Sequence, residues 1–167
     1  MDYNSTVRYQ KPPCFGLYMS GGTLFERIIA GDIPCHKVSE GTSWFAFLDI
    51  FPRREGHTLV VPKRGVRRIS ELSDDEVSGL FIGLKKVQSI LSKHFQTEDF
   101  TVCVHDGEMA GQEVPHVHIH VIPRTRGDGG LTLMSMWPKT QSFDGVADHQ
   151  SLDILASNLR GEYNETS

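Results

Sequence analysis

The chain has little of what defines several other classes of protein. Its three cysteines, Cys14, Cys35 and Cys103, are odd in number and never closely spaced, so neither a disulfide framework nor a redox Cys-x-x-Cys motif is predicted. That usage is typical of a reducing compartment. No apolar run approaches the roughly 20 residues that cross a bilayer, so no membrane partner is expected. The formal net charge of −4 at pH 7 argues against nucleic acid as a partner.

The composition indicates one ordinary globular domain. With 38% hydrophobic and 23% charged residues, the 167-residue chain is long enough for one core and too short for two. Residues 1–22 lack the hydrophobic centre of a secretory signal, so we expect a flexible N-terminal extension there. We expect the domain to span residues 23–138, before a polar C-terminal tail at 139–167. A cytoplasmic location is expected, with a nuclear one left open.

Helical and strand patterns follow one another along this domain without a βαβ repeat. Thr23 and Glu26 form a candidate capping box for a short amphipathic helix that Gly31 ends. Ser73-Asp-Asp-Glu76 is a second one, before an apolar stripe of helical period that runs to near His94. Short β-favouring runs occupy residues 36–40, 44–50, 57–61, 100–104 and 114–122. The sequence therefore predicts an α+β fold: an antiparallel sheet of about five strands, with one short and one long helix packed on one face.

The most informative stretch is His116 to Ile122, which reads His-Val-His-Ile-His-Val-Ile. In a strand, side chains two residues apart share a face, so the three histidines should form a row while Val117, Ile119 and Val121 anchor the opposite face. Such a row of imidazoles can bind a metal ion, or it can attack and hold a phosphate.

Three interpretations of the row stand side by side. Neutral imidazole suits zinc, copper and iron, but no HExxH, CxxC or other ligand pair with metal spacing occurs elsewhere. The histidines could also be merely tolerated on a solvated strand face. Covalent chemistry at phosphorus is favoured, because imidazole is a good nucleophile and its N–P bond is labile. No metal and no cofactor are therefore expected.

The flanking motifs sharpen this interpretation. A loop with Gly111-Gln112 enters the histidine run, and its backbone N–H groups can approach an anion. This run resembles the histidine triad (HIT) superfamily of nucleotidyl hydrolases and transferases. Earlier segments also resemble the family, namely Ile28 to Pro34, Phe45 to Ile50 and Gly56 to Lys63. Matching positions run from about residue 24 to about residue 126.

The resemblance implies roles for the site residues. His118 would be the nucleophile, His120 would contact the phosphate or the leaving group, and His116 and His57 would support them. Gln112 would donate its amide to a phosphate oxygen. Asp49 would accept the ribose hydroxyls, although it could instead form the turn before Pro52. An apolar slot for the base would come from four residues that are equally explicable as core: Leu24, Phe25, Ile29 and Phe47.

Three departures from the family pattern are visible. Many relatives carry zinc ligands where this chain has Thr23, Glu26 and Gly65, so no structural zinc is expected. Glu113 stands where relatives often have Ser or Thr, and would repel a phosphate if it faced the site. His105 stands where Asn or Gln is usual, either as a further site imidazole or as a strand-end residue.

The expected function follows from the resemblance. The chain combines features of the Hint-type branch, which cleaves nucleoside phosphoramidates, and of the fragile-histidine-triad branch, which cleaves dinucleoside polyphosphates. Both act on purine nucleotides through a nucleotidyl-histidine intermediate, release a nucleoside monophosphate and form homodimers. Two alternatives stay open: a non-catalytic nucleotide-binding regulatory protein, and a zinc-dependent enzyme that uses the histidine row as ligands.

Overall fold

The computed structural model describes residues 22–130, together with Gln150, Leu152, Leu155, Ala156 and Leu159. The chain divides into two compact units, residues 1–128 and residues 129–167. In the second unit the five described residues between 150 and 159 are helical, a feature that the expectation of a polar tail did not include. The N-terminal extension lies almost wholly outside the described residues. None of the described helices is both long and apolar enough to span a membrane.

Both helices begin at the capping boxes that the sequence predicts. Helix α1 spans Leu24–Ala30, where the Thr23 hydroxyl accepts from the Glu26 backbone N–H at 3.2 Å and the Glu26 carboxylate accepts from the Thr23 N–H at 2.7 Å. It ends at Gly31, whose φ of 89° is the left-handed conformation that glycine adopts without penalty. Helix α2 spans Asp74–Phe95 and begins with the same reciprocal bonds between Ser73 and Glu76.

The sheet has five strands, which confirms the predicted α+β class. They are β1 (Lys37–Glu40), β2 (Trp44–Leu48), β3 (Thr58–Pro62), β4 (Phe100–Val104) and β5 (Ile119–Pro123). All pairings are antiparallel, in the order β1-β2-β3-β5-β4. The sheet therefore places β5, which carries the end of the histidine run, between β3 and β4.

The last strand is shorter than predicted. It begins at Ile119 rather than at residue 114, because Pro115 has no N–H for a ladder and the N–H of His116 turns back to the oxygen of Val114 at 2.8 Å. The alternation of faces nevertheless holds, since Val117, Ile119 and Val121 are all buried in the core.

The expectation that both helices pack on one face is wrong. Helix α2 covers one face, and Phe25 of α1 packs on the other against aromatic and aliphatic side chains of β2 and β3. Alternation within the strands produces both cores, because odd and even residues point to opposite sides. The α2 face contains Trp44, Ala46, Val60, Leu80, Leu84, Val87, Leu91, Val117, Ile119 and Val121, and the α1 face contains Phe25, Phe45, Phe47, Leu59 and Val61.

Candidate active site

Five histidines gather on the α1 face of the sheet. His120 lies on β5 directly opposite Leu59 of β3, which belongs to the α1 core, so its imidazole shares that face. The ring centroid of His120 lies 4.9 Å from that of His118, 5.2 Å from that of His57 and 5.2 Å from that of His105. His116 is the fifth. The structure thus brings together all four residues predicted to be catalytic and adds His105.

His116 is the supporting imidazole. Its side chain is fully buried, at 0% exposure, and both ring nitrogens have partners. Nε2 donates to the backbone oxygen of Pro62 at 2.8 Å, and Nδ1 lies 2.7 Å from the hydroxyl of Thr23. Burial lowers the pKa of His116. With no ring nitrogen free, His116 can neither attack a substrate nor bind a metal ion.

His118 presents one free nitrogen. Its Nδ1 lies 2.7 Å from the backbone oxygen of His116, which can only accept a hydrogen bond. The ring proton therefore lies on Nδ1, and the lone pair of Nε2 is available. Burial lowers the pKa of His118, so the ring stays neutral near pH 7. Phe25 meets this ring edge-on at a centroid distance of 5.5 Å and holds it in place.

His57 and His120 form a hydrogen-bonded pair that fixes the opposite tautomer in His120. The backbone N–H of Arg53 donates to His57 Nδ1 at 3.2 Å, so His57 carries its proton on Nε2. Nε2 lies 3.0 Å from His120 Nδ1 and donates to it. In neutral His120 the proton then lies on Nε2, a buried atom without a hydrogen-bond partner. Burial, reinforced by neighbouring imidazoles, lowers the pKa of His120 to about 3.

Asp49 forms the turn that the sequence allowed as its alternative role. One carboxylate oxygen accepts from the backbone N–H of Phe51 at 2.8 Å. The other lies 3.5 Å from His57 Nδ1, at the edge of the imidazole group. One oxygen is therefore engaged in the loop and the other faces the site. The ribose contact stays a prediction.

The loop before the triad differs in detail from the expectation. The amide nitrogen of Gln112 donates to the backbone oxygen of Arg67 at 2.9 Å, and its oxygen is buried without a partner. Gln112 is thus committed to a neighbouring loop, and its phosphate contact stays a prediction. Glu113 is exposed, and its charge acts to raise the pKa of His118, so the carboxylate lies within electrostatic reach of that ring.

The four residues predicted to form the base slot belong to one cluster. Phe25 and Phe47 are buried and meet at a centroid distance of 5.4 Å, while Leu24 and Ile29 are partly buried against them. The cluster is core and also borders the histidines. Its use as a base slot stays a prediction.

One group of described residues could hold a metal ion. Ligand atoms of Asp49, His57 and His120 lie within 4.8 Å of one another. His120 is the one member of the histidine row in this group, and both ring nitrogens of His116 already have hydrogen-bond partners. The three histidines of the row therefore do not form one ligand set, which is the arrangement that the zinc alternative requires.

Sequence reasoning missed three contributors to the site. The backbone N–H of Arg53 and the backbone oxygen of Pro62 fix tautomers, and no side-chain pattern can reveal such groups. Thr23 was predicted to be a helix cap that stands where many relatives carry a zinc ligand, and its hydroxyl also contacts His116. The charge of Arg53 acts to lower the pKa of His57 and His120, so a positive field reaches the imidazoles and suits an anionic ligand.

Comparison with known proteins gives the family. A family model described as the HIT domain matches residues 30–127, and the chain belongs to this family. It is 39% identical over 115 residues to the adenosine 5'-monophosphoramidase hnt1 of Schizosaccharomyces pombe, covering 69% of this chain and 82% of that protein. It is 42% identical over 83 residues to the asymmetrical bis(5'-nucleosyl)-tetraphosphatase of the same yeast, covering 50% and 46%.

The fold comparison agrees. A crystal structure of a HIT family member from Bacillus subtilis is 33% identical with a TM-score of 0.69, covering 82% of this chain and 94% of that one. Some curated relatives are much longer than the matched region, and the chain spans only 25% of one and 46% of another.

Proposed function

We propose that this chain is a nucleotide hydrolase that acts at the α-phosphate of purine nucleoside phosphoramidates or dinucleoside polyphosphates. The observation that carries the proposal is the hydrogen bond from His118 Nδ1 to the oxygen of His116, because it leaves Nε2 free as a nucleophile. Relatives named as a phosphoramidase and a tetraphosphatase support the same class of reaction.

In the first half-reaction, His118 Nε2 attacks the α-phosphorus. The new N–P bond forms as the bond from phosphorus to the leaving nitrogen or oxygen breaks. The bound phosphate anion favours the imidazolium form of His120, whose partnerless Nε2–H gives its proton to that leaving atom and leaves a neutral ring. The Nδ1–H of His118 stays bonded to the backbone oxygen of His116, which stabilises the positive ring of the nucleotidyl-histidine.

In the second half-reaction, water replaces the leaving group. Nε2 of His120 is now unprotonated and takes a proton from the water as the oxygen attacks phosphorus. The N–P bond breaks, the electron pair returns to His118 Nε2, and a nucleoside monophosphate is released. Both histidines end in their starting protonation states, so the cycle closes.

The remaining residues would hold the nucleotide. The free oxygen of Asp49 would accept the ribose hydroxyls while its other oxygen stays in the turn. Phe25 and Phe47, with Leu24 and Ile29, would border the base. The amide of Gln112 would reach a phosphate oxygen by exchanging its bond to Arg67.

We also propose that the protein is a homodimer of the cytoplasm. Among the described strands, β4 lies at an edge of the sheet, and its Val102 is 41% exposed. Phe81 and Ile82 of α2 are also largely exposed. An unpaired strand edge is suited to pairing with a second copy, and so are exposed apolar side chains, although Ile82 lies near Ser39 and Trp44, toward the opposite edge of the sheet.

Covalent labelling tests the proposed function. Incubation with an adenosine phosphoramidate labelled at phosphorus, followed by rapid acid-free denaturation, should trap label on the wild type and none on His118→Ala. A non-catalytic nucleotide-binding protein would bind AMP but incorporate no label and release no product. That outcome would replace the hydrolase proposal with the regulatory alternative.

A zinc-dependent enzyme is tested separately, since Asp49, His57 and His120 offer ligand atoms. Activity on a phosphoramidate should survive prolonged chelation and assay in metal-free buffer. A polyphosphate is the wrong substrate here, because magnesium can neutralise its own charge. Stoichiometric zinc in the purified protein, with activity lost on its removal, would favour the metal enzyme.

A further inference from the structure

The start of α1 contacts the histidine triad directly. The hydroxyl of Thr23 lies 2.7 Å from Nδ1 of His116, across 93 positions of sequence, and both side chains are buried. The same hydroxyl accepts from the backbone N–H of Glu26 at 3.2 Å. One atom therefore serves both as the cap of a helix and as a partner of the first triad histidine.

The direction of the proton in this contact follows from the other side of the ring. The oxygen of Pro62 can only accept, so His116 Nε2 donates to it and carries the ring proton. In the neutral imidazole, Nδ1 then accepts, and the Thr23 O–H is its donor. Without that hydroxyl, Nδ1 would be a buried acceptor with no partner, and the alternative tautomer would no longer be opposed.

Glu26 fixes Thr23 in place. One oxygen of its carboxylate accepts from the Thr23 N–H at 2.7 Å, and the other accepts from the Gly65 N–H at 2.9 Å. A Cβ at position 65 would collide with this carboxylate, so the close approach requires glycine there. Glu26 thus ties the start of α1 to the segment that follows β3, whose last residue is Pro62.

The second capping box shows that a contact with a histidine is not needed to start a helix. Ser73 and Glu76 make the same reciprocal bonds at α2, but at an exposed position. Glu76 there forms an ion pair with Arg64, and no histidine is involved. The two caps are chemically equivalent, but their side chains contact different groups. The cap of α2 faces solvent and Arg64, whereas the cap of α1 contacts a histidine of the triad.

We propose that Thr23 and Glu26 are positioning residues of the active site. They hold the ring of His116 in its Nε2–H tautomer and keep the residue where its backbone oxygen accepts from His118 Nδ1. The inference rests on the proposed role of His118 as nucleophile. The chain of contacts runs from Glu26 to Thr23, to the ring of His116, and through the His116 oxygen to His118 Nδ1. Displacement of His116 would let His118 rotate or change tautomer, and its free nitrogen would no longer face the substrate.

Three variants and one control test the proposal. Thr23→Val keeps the shape and removes the hydroxyl, Thr23→Ser keeps the hydroxyl, and Glu26→Gln keeps one acceptor oxygen. Ser73→Ala is the matched control, because it removes a helix cap that contacts no histidine. Each is assayed for kcat and KM on an adenosine phosphoramidate, for thermal stability, and by ¹⁵N NMR of the imidazoles, which reports the tautomer without reference to activity.

Thr23→Val should lower kcat by about 10- to 100-fold with KM within about twofold, because ground-state binding does not use the hydroxyl. Its His116 signals should shift from a single Nε2–H form to a mixture. Thr23→Ser should restore kcat to within about threefold, and Glu26→Gln should fall between the two. Ser73→Ala should lose thermal stability and keep the wild-type kcat.

Two results would overturn the proposal. The first is a Thr23→Val enzyme with wild-type kcat and an unchanged His116 tautomer. The second is equal loss in Thr23→Val and Thr23→Ser, which would indicate local packing rather than hydrogen bonding. Failure of the hydrolase proposal would look different: the wild type itself would release no product, while the NMR tautomer of His116 would still decide whether Thr23 holds that ring.

Discussion

The two faces of the sheet are built from alternate residues of the same strands, yet only one carries polar chemistry. On the α2 face, the inward residues of β2, β3 and β5 are apolar, and they meet an equally apolar helix stripe. On the α1 face, aromatic side chains share the surface with five histidines and Asp49. One face therefore provides the stability that allows the other to bury imidazoles at a cost in desolvation.

The closest contrast between the faces lies within two consecutive residues. Val117 points into the α2 core and His118 into the site, and both are almost fully buried. His118→Ala should lower turnover by at least about a thousandfold while AMP affinity stays within about tenfold, because a nucleophile acts in the transition state. Steady-state kinetics and calorimetric binding measure the two quantities.

Val117→Ala should do the reverse. It should lower the free energy of unfolding by about 1–3 kcal/mol, since it leaves a cavity in a close-packed core, while the folded enzyme keeps its kcat. Urea unfolding and kinetics on the folded fraction measure this. If His118→Ala lost stability but kept turnover, the assignment of the two faces would be reversed.

This contrast also explains how much the sequence could predict. The α2 face follows from local periodicity, so α2, the five strands and the buried residues Val117, Ile119 and Val121 were confirmed. The packing of α1 was predicted on the wrong face, because a short helix with apolar residues carries no signal for which side of a sheet it covers. That side depends on contacts between distant segments, such as Phe25 with Phe47.

The site was predictable to the extent that it depends on the alternation of side chains within one strand, as in the row His116, His118 and His120. His120 pairs with Cys103, and His105 lies two residues further along, so alternation places His105 on the same face. Sequence alone left its position open because the register of β4 against β5 was unknown. The tautomers could not be predicted, since they depend on backbone groups of Arg53, Pro62 and His116.

Asp49 lies at the border between a structural and a binding role, and its replacement separates them. Asp49→Ala should raise KM by about 10- to 100-fold and reduce the preference for ribonucleotides over 2′-deoxyribonucleotides, because hydrogen bonds to a charged group contribute about 1.5–3 kcal/mol. Asp49→Asn is the informative control, as it keeps the oxygen that caps the turn. If the ribose preference were unchanged in both variants, the role of Asp49 would be limited to forming the turn.

The buried imidazoles predict an acid-sensitive fold. Folding lowers the pKa of His57, His116, His118 and His120 below 6.5, so below that pH the unfolded chain binds more protons than the folded one. Stability is therefore complete above pH 6.5 and is lost as the pH falls toward about 3, the pKa of folded His120. Each histidine contributes at most about 2 kcal/mol of this loss by pH 5.

Urea unfolding at pH 7.5 and pH 5.0 measures the effect. Both values lie above 4.5, the ordinary pKa of glutamate, so the lowered pKa values of Glu26 and Glu76 contribute little in this window. His120→Asn keeps an acceptor for His57 and should reduce the pH-dependent loss by about 1–2 kcal/mol. His94→Asn, on the exposed side of α2, should leave the loss unchanged; an equal reduction in both variants would contradict the assignment.

The smallest effect is expected at Glu113, where the polar face meets solvent. From an exposed position, its negative charge opposes the lowering of the His118 pKa by burial, so it should also repel a bound phosphate. Glu113→Ser should tighten AMP binding at pH 8 by about 1.5- to 5-fold, the range expected for one exposed charge, and the gain should shrink at high salt. Glu108→Ser is the control, since Glu108 lies in the same loop and faces Arg67 at 3.9 Å. Titration calorimetry at two salt concentrations measures the AMP affinity of both variants. Equal affinities would show that the charge of Glu113 does not act on the site. Tighter, salt-sensitive binding in Glu113→Ser alone would show that it does.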